Sequence, residues 1–420
     1  MKGTDPMRRI LLVLTLVVAL LALPAAAFAQ DAPILPPVPC GDLSEEDCAI
    51  LQDSQAASME LFAYDATLNF DFALTDVPDL PQDISFGFVS DGSFSFSPEF
   101  LAQAMEFQAM MQENDMSDPM AMMEQSMDIG MAFYDQAAFD MVWDVTLSDD
   151  VAALLSQQAG VTIPTELNLP LRLVDGFFYA NLDDVAQIVP GLSGWIGFDM
   201  VGFLEASMDQ TMAMMEEGMS EMDPATMGAM MGSGTAMNPE LQAAVEANTM
   251  VERLDDATVN GADVATFLHT FDFGGFLSDP AVIGMLVDQL QAQVATQNMM
   301  SEDALPLTEE DIAMVAEMVP MLAPMLLSGL EWETVNTIGL DDLFVYTTDT
   351  SVSWDLGQLI GMAGAMMGDA SAAGQQSDAF FSLDVAAENS NFNGDVTVEA
   401  PEGAMIIPLD QMLEDSDASM

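Results

Sequence analysis

Positive charge is nearly absent from this sequence: 5 lysines and arginines stand against 69 aspartates and glutamates, for a formal net charge of −64 over 420 residues. Lys2, Arg8 and Arg9 fall near the start, so beyond them only Arg172 and Arg253 remain, and no lysine at all. Nucleic acid is excluded as a partner, because affinity for it comes from cations that displace phosphate counterions. Anionic lipid headgroups are repelled for the same reason. Histidine is reduced to His269, and cysteine to Cys40 and Cys48. Without lysine or free cysteine nucleophiles, Ser-His and Cys-His machinery has almost nothing to draw on. No P-loop, EF-hand, H-E-x-x-H or G-x-S-x-G pattern follows the leader described next. The chain is therefore expected to be no enzyme and to hold no cofactor.

Long uninterrupted apolar runs are scarce too. The one that stands out, Ile10 to Leu23, follows Arg8-Arg9 and leads into Pro24-Ala25-Ala26-Ala27-Phe28-Ala29. This reads as a secretory signal peptide over residues 1–29, cleaved before Gln30, with Met7 as the working start. The run is shorter than a spanning helix needs, and an uncleaved anchor is the alternative. Every later apolar run is broken by Asp, Glu, Pro or Gly, so the expected location is secreted or in the cell envelope. In that oxidising compartment Cys40 and Cys48 are expected to close a local disulfide. Their spacing is not C-x-x-C, which disfavours a redox role. Cys40 as a lipid-modified N-terminus is disfavoured by Pro39 before it and by its distance from the apolar run.

What the chain has in plenty is apolar side chains. At 51% hydrophobic residues and a mean hydropathy of +0.28, it is too apolar for an acidic disordered chain and must fold around a large core. After a Pro-rich linker and a short acidic helix near 43–58, strict alternation puts Phe62, Tyr64, Ala66, Leu68, Phe70, Phe72 and Leu74 on one face of a strand, with Asp65, Thr67, Asn69 and Asp71 on the other. Ile84, Phe86 and Phe88 lead into Ser90-Asp91-Gly92-Ser93 and out through Phe94 and Phe96, which reads as a hairpin with a D-G turn. A further strand carries Phe139, Met141, Trp143, Val145 and Leu147 on one face. More strands are expected near 168–182, 194–200, 257–273, 332–356, 379–388 and 395–400, with helices at about 98–127, 203–232, 238–250, 279–298 and 308–328 and a loop at 368–378. The expected fold class is α+β: a curved, half-open antiparallel, barrel-like sheet with helices on its concave apolar face. Residues 30–57 form a linker and disulfide-closed segment, 58–412 one domain with methionine-rich helical insertions, and 413–420 an acidic tail.

Of thirty-eight methionines, 21 cluster in three helical stretches, from Met105 to Met127, from Met208 to Met231, and at Met314, Met318, Met321 and Met325. Unbranched, polarizable side chains suit surfaces that repack around variable apolar partners such as acyl chains. Two other readings stand beside that one: methionine replacing leucine in an ordinary core, and thioether ligation of a soft metal such as Cu(I) at M-x-x-M spacing. His269 shares a strand face with Phe267 and Phe271 and reads as a structural histidine. Paired carboxylates such as Asp183-Asp184, Asp255-Asp256 and Asp341-Asp342 read as solvated loops that could bind divalent cations weakly. Arg172 and Arg253 are each expected to close an ion pair with a surrounding acid.

The segment Leu169-Pro170-Leu171-Arg172-Leu173-Val174-Asp175-Gly176-Phe177-Phe178-Tyr179-Ala180-Asn181-Leu182, followed by Gly194-Trp195-Ile196-Gly197-Phe198-Asp199, resembles the strand pair of the LolA/LppX/LprG-like bacterial lipid and lipoprotein carriers. Asp255 to Val264 is similar to their central G-x-x-V strand, and Phe392 to Glu402 to their closing F-N-x-x-V-x-I-x-A-P segment. The resemblance spans roughly residues 58–412 and implies a half-open antiparallel barrel with an apolar cavity for acyl chains or a lipid anchor. This chain departs from the pattern in lacking a lipobox cysteine, in its long methionine-rich insertions and in its acidity.

Together these readings predict an exported binder of lipids or other apolar molecules, acting by non-covalent sequestration, with transient contact with the envelope surface. An acidic structural or adhesive protein and a copper binder are the alternatives. The expected cavity wall is Phe70, Phe72, Phe86, Phe88, Met141, Trp143, Met212, Met215, Met318 and Met321. The acidic exterior favours neutral or cationic ligands. Like-charge repulsion is screened within a Debye length of about 8–10 Å at physiological salt and is severe in dilute buffer. The melting temperature should therefore rise as salt or divalent cations are added, and a melting temperature indifferent to ionic strength would contradict this.

Overall fold

The computed structural model describes residues 40–77, 83–112, 119–188, 193–206, 239–285, 287, 327, 329–357, 360 and 378–407. Two meanders joined side by side make one sheet of 13 strands. The first runs in chain order through β1 (Ala63–Thr75), β2 (Ile84–Phe96), β3 (Ala137–Leu147), β4 (Glu166–Val174), β5 (Phe177–Asn181) and β6 (Trp195–Asp199). The second comprises β7 (Thr249–Arg253), β8 (Ala257–Val259), β9 (Ala262–Phe271), β10 (Leu330–Gly339), β11 (Val345–Asp355) and β12 (Phe380–Ser390). β7 and β8 both pair with β9, the order then runs β9-β10-β11-β12, and β12 docks against β1. A last short strand, β13 (Met405–Ile407), adds to the far edge beside β6. Every ladder is antiparallel except β13–β6, which is parallel, and the two outer strands do not meet, so the sheet is curved but unclosed.

The helices lie in the connections. α1 (Glu45–Ser58) precedes β1, α2 (Pro98–Gln112) and α3 (Pro119–Gln136) link β2 to β3, and α4 (Asp149–Ala159) links β3 to β4. α5 (Pro239–Asn248) leads into β7 and α6 (Phe273–Ser278) follows β9. Ser44 caps α1 by accepting from the Asp47 amide, and Glu45, Glu46 and Asp47 place negative charge at the positive end of the helix dipole. The Cys40–Cys48 disulfide ties the start of α1 to the segment before it, with the two Cα atoms 5.3 Å apart. Leu51 of α1 is buried with Val251, Ala265, Phe267 and Ile338, so this segment is part of the core at the β7–β9–β10 end of the sheet. Arg253 fixes it there by pairing with Asp47 at 3.2 Å and with Asp256, while its guanidinium lies 4.9 Å over the Phe267 ring.

Two tight turns divide stretches expected as strands, 168–182 and 257–273. Asp175-Gly176 joins β4 to β5 and Asn260-Gly261 joins β8 to β9, and all four residues have positive φ, as a type I′ hairpin turn requires. Asp91-Gly92 does not turn. β2 runs straight through it, with Gly92 opposite Ala66 on one side and Met141 on the other. The reason is register: a two-residue turn there would set Phe88 opposite Ser95 and split the aromatic set across both faces, whereas the continuous strand keeps Phe86, Phe88, Phe94 and Phe96 together. Gly92 serves close approach, since a Cβ on it would lie 2.6 Å from the Met141 Cβ.

Three further expectations are corrected. The long helix expected over 98–127 is two helices, α2 and α3, and the second continues to Gln136. The helix expected over 238–250 ends at Asn248, because Thr249 to Arg253 alternate against β9 and form the edge strand β7. Residues 395–400 form no ladder; they belong to a strap that crosses the sheet from β1 to β6 before β13 begins. At its start the Asn393 amide donates to the Ala63 carbonyl at 2.6 Å and Asn393 Oδ1 accepts from the Phe62 amide at 2.8 Å. Further on Arg172 donates to the Glu399 carbonyl at 3.2 Å. The expected signal peptide, nearly all of the helix expected over 308–328, most of those over 203–232 and 279–298, and nearly all of the loop at 368–378 lie outside the described residues.

If the close approach at Gly92 is what β2 needs, Gly92→Val should destabilise the protein by about 1–3 kcal/mol through overpacking against Met141. Urea denaturation would measure it, and an unchanged midpoint would show that the strands do not meet there.

Candidate functional site

The sheet separates its side chains by chemistry. On one face Phe72 stands opposite Phe86 and Phe86 opposite Leu147, while Phe70 stands opposite Phe88 and Phe88 opposite Val145. Trp143 and Met141 occupy the same face of β3, and Leu169 and Leu171 of β4 are their cross-strand partners. The same face continues the other way, with Leu383 of β12 opposite Phe72 and Phe381 opposite Leu74. The opposite face carries Asp65, Asp71, Asp140, Asp144, Asp384 and Glu388; Asp71 and Asp384 stand directly opposite each other, and every one but Asp71 has a serine, threonine or asparagine as a cross-strand partner. Ser93 donates to Asp65 at 2.5 Å, Thr67 to Asp91 at 2.9 Å and Asn168 to Asp144 at 2.6 Å, so neutral donors offset several of the acids.

The apolar face is concave. Phe133 of α3 lies against Phe96 and Phe100 there, with ring centroids 6.2 and 5.8 Å away, and α1 covers its β9–β10 end. Six of the expected wall residues come together on this face, in a graded way. Met141, Trp143 and Phe88 are buried, in clusters completed by Leu169, Leu171, Leu68 and Val145. Phe70, Phe72 and Phe86, on the next two strands out from β3, are only half-buried. Their rings nonetheless stack, with centroids 5.6 Å apart for Phe70–Phe86 and 5.0 Å for Phe72–Phe86, and Phe381 meets Phe72 edge-on at 5.5 Å. The half-buried end continues through Leu74, Ile84, Leu383 and Trp354. Met212, Met215, Met318 and Met321 lie outside the described residues.

Sequence reasoning passed over Phe381, Leu383, Val352 and Trp354, which extend the half-buried wall onto β12 and β11. The alternation of Phe381, Leu383, Val385 and Ala387 is the signal that would have placed them. It also passed over a polar stripe on the same face. His269 of β9 stands opposite Thr334 of β10, and Thr334 opposite Thr350 of β11, their two hydroxyls 2.9 Å apart. His269 is buried, and burial pushes its pKa below the ordinary histidine value, which keeps the imidazole neutral near pH 7.

Both arginines are engaged as expected. Arg172 lies on the convex face, its Nε 3.0 Å from Asp140 but too oblique for a hydrogen bond, and its guanidinium 5.1 Å over the Trp195 ring. Several of the paired loop acids serve the fold: Asp183 accepts from the Gly194 amide, Asp184 from the Asn168 amide, and Asp342 from the Tyr346 hydroxyl. Among the described residues no group of three or more His, Cys, Asp or Glu is placed to hold a metal ion, and no helix is long and apolar enough to cross a membrane. An open groove of about 610 Å³ lies between α2 and α3, but Gln103, Glu106, Gln125, Asp128 and Gln136 make its lining polar and unlike the concave face.

No protein-family model matches the chain, and no curated protein is similar to it. Among solved structures it is similar to the lipoprotein LppX of Mycobacterium tuberculosis, at 9% identity and a TM-score of 0.29, with 85% of this chain and 100% of that one covered. It is similar also to LprF of Mycobacterium bovis, at 10% identity and a TM-score of 0.30, with 86% and 100% covered. Likenesses this distant carry no argument about function.

Because the fold holds His269 neutral, its contribution is intact above the unfolded-state pKa and is lost as pH falls through it toward the lower folded value. Relative to the parent, His269→Phe should therefore gain stability between pH 7 and pH 5, read as the difference between the two melting temperatures across that range. A difference constant with pH would contradict a buried neutral imidazole.

Proposed function

We propose that this chain is an extracytoplasmic carrier that shelters lipids or other apolar molecules against the concave face of its sheet, by reversible binding and without chemistry on the ligand. The observation that carries this reading is the grading of the apolar face. Its β3–β4 side is packed like a core, whereas Phe70, Phe72, Phe86 and Phe381 remain half-buried although they are among the largest apolar side chains present. An ordinary core buries such rings fully, because each is worth about 1.5–3 kcal/mol when removed from water. Leaving a continuous row of them partly covered is what a surface awaiting an apolar guest requires.

The energetics suit a carrier. Burying about ten methylenes yields about 8 kcal/mol, of which lost translational and rotational freedom takes back a large part. The net affinity then permits both loading and release. The half-buried wall runs along strand ends, so an acyl chain could lie across β12, β1 and β2 with its methylenes against the rings. Methionines of the expected insertions would complete the enclosure, since a thioether side chain adapts to chains of different length and branching. The convex face remains in water through its acids, and its charge keeps carriers apart and away from anionic membrane surfaces.

Native mass spectrometry of protein purified from its own host, followed by organic extraction, tests this. Co-purifying lipid or another apolar molecule is the expected result. A bare polypeptide mass would favour a structural or adhesive role, and bound copper a metal-binding one. Replacing both Phe72 and Phe86 by Thr, neutral and suited to a strand, should remove most of the co-purifying molecule while leaving a cooperative melting transition.

A further inference from the structure

Five buried side-chain polar atoms among the described residues have no hydrogen-bond partner: Trp143 Nε1, Arg172 Nε, Thr266 Oγ1, His269 Nε2 and Trp354 Nε1. Arg172 Nε is compensated by the Asp140 carboxylate, and Thr266 stands on the face away from His269. The other three share the concave face. Trp143 is in register there with Ser90 and Leu169, His269 with Thr334, and Trp354 with Phe381 and Leu330. A buried donor or acceptor left unmade costs about 1–3 kcal/mol, and native proteins carry few of them without a use. Three on the one face read as a binding surface call for a common explanation.

Resting on the carrier reading, we infer that the concave face has a polar subsite at His269, Thr334 and Thr350, with Trp354 as a second anchor, and that its ligand is an uncharged lipid bearing ester or hydroxyl oxygens. A pure hydrocarbon would leave His269 Nε2 and the indole N–H groups dry and unpaired. A phospholipid or a free fatty acid would bring an anion to a face with no free cation to meet it: beyond the leader the chain has only Arg172, on the convex face, and Arg253, which stands on the concave face opposite Phe267 but is already paired with Asp47 and Asp256. An ester carbonyl accepts from an indole N–H, and a hydroxyl can both donate to and accept from a neutral imidazole. His269 is 7% exposed and Thr334 8%, so a hydrogen bond there forms away from water, where it is strongest. The same face thus offers rings for the acyl chains and hydrogen-bonding groups for the oxygens that join them.

The test titrates the delipidated chain with three probes: dioleoylglycerol, dioleoylphosphatidylglycerol and squalane. Dioleoylglycerol should bind about tenfold or more tightly than either of the others, and His269→Phe should weaken it about five- to tenfold while leaving squalane unchanged, the size of effect expected of one neutral hydrogen bond. His269→Gln, which keeps a hydrogen-bonding amide, should recover most of the loss. If His269→Phe lacks a cooperative melt, Trp354→Phe replaces it, with the same expected selectivity for dioleoylglycerol over squalane. Equal affinity for the three probes, or unchanged dioleoylglycerol affinity in the folded variant, overturns the polar subsite and leaves the carrier reading standing. Failure of the chain to bind any of the three overturns both.

Discussion

Everything in this protein depends on one constraint: strands of period two must keep large apolar side chains and carboxylates on opposite faces without a slip. With acids outnumbering bases so heavily, a carboxylate turned toward the interior would find no cation to pair with and would face the full cost of desolvation. A one-residue shift anywhere along β1 would carry Asp65 and Asp71 inward and Phe70 and Phe72 outward. The register excludes this through paired rings, Phe70 with Phe88 and Phe72 with Phe86 on one face, and through Ser93 and Thr67 bonding to Asp65 and Asp91 on the other. The two faces are fixed by the same alternation, and the apolar wall is its direct product.

That dependence explains which parts of the fold were legible in advance. β1, β3 and β12 could be read because their alternation is long and in phase, β4 and β5 only as one stretch over 168–182, and α1 because Ser44 and the acids after it mark a helix start. Asp91-Gly92 was misread because a turn dipeptide was weighed as a local signal. Counting phase across it would have shown Phe86, Phe88, Phe94 and Phe96 all at even spacing, as no two-residue hairpin allows. At Asp175-Gly176 the same count pairs Leu173 with Phe178 and Leu171 with Ala180, and the turn is real. β7 escaped notice because five residues at a sheet edge, Thr249 to Arg253, bury only Val251 deeply and leave Met250 exposed. The strap was taken for a strand because its alternation is genuine. Its amides and carbonyls instead meet single partners such as Ala63 and Arg172, and Pro401 interrupts any ladder there.

For the candidate site, the aromatic row could be read from the sequence, but its grading could not. Nothing in the residue types distinguishes Phe88, buried between Leu68 and Val145, from Phe86, which is half-buried beside it in the same strand. The difference arises from position, Phe88 lying nearer the packed Trp143 end and Phe86 nearer the open one. The polar stripe was invisible for a related reason. His269, Thr334 and Thr350 are separated by long stretches of chain and become neighbours only through the order β9-β10-β11.

The charge balance and the interior also share a cause. With only two arginines beyond the leader, one of them holding α1 in place, the chain has no cation to spare for an anionic ligand, so most of its stability and its recognition fall to apolar packing and neutral hydrogen bonds. The most direct test of that account is a crystal structure of the chain loaded with a diacylglycerol brominated at mid-chain, read by anomalous scattering. Bromine peaks on the concave face beside Phe72, Phe86 and Phe381 are the predicted result. Bromine bound only on the convex face or in the groove between α2 and α3, with those rings untouched, would contradict it.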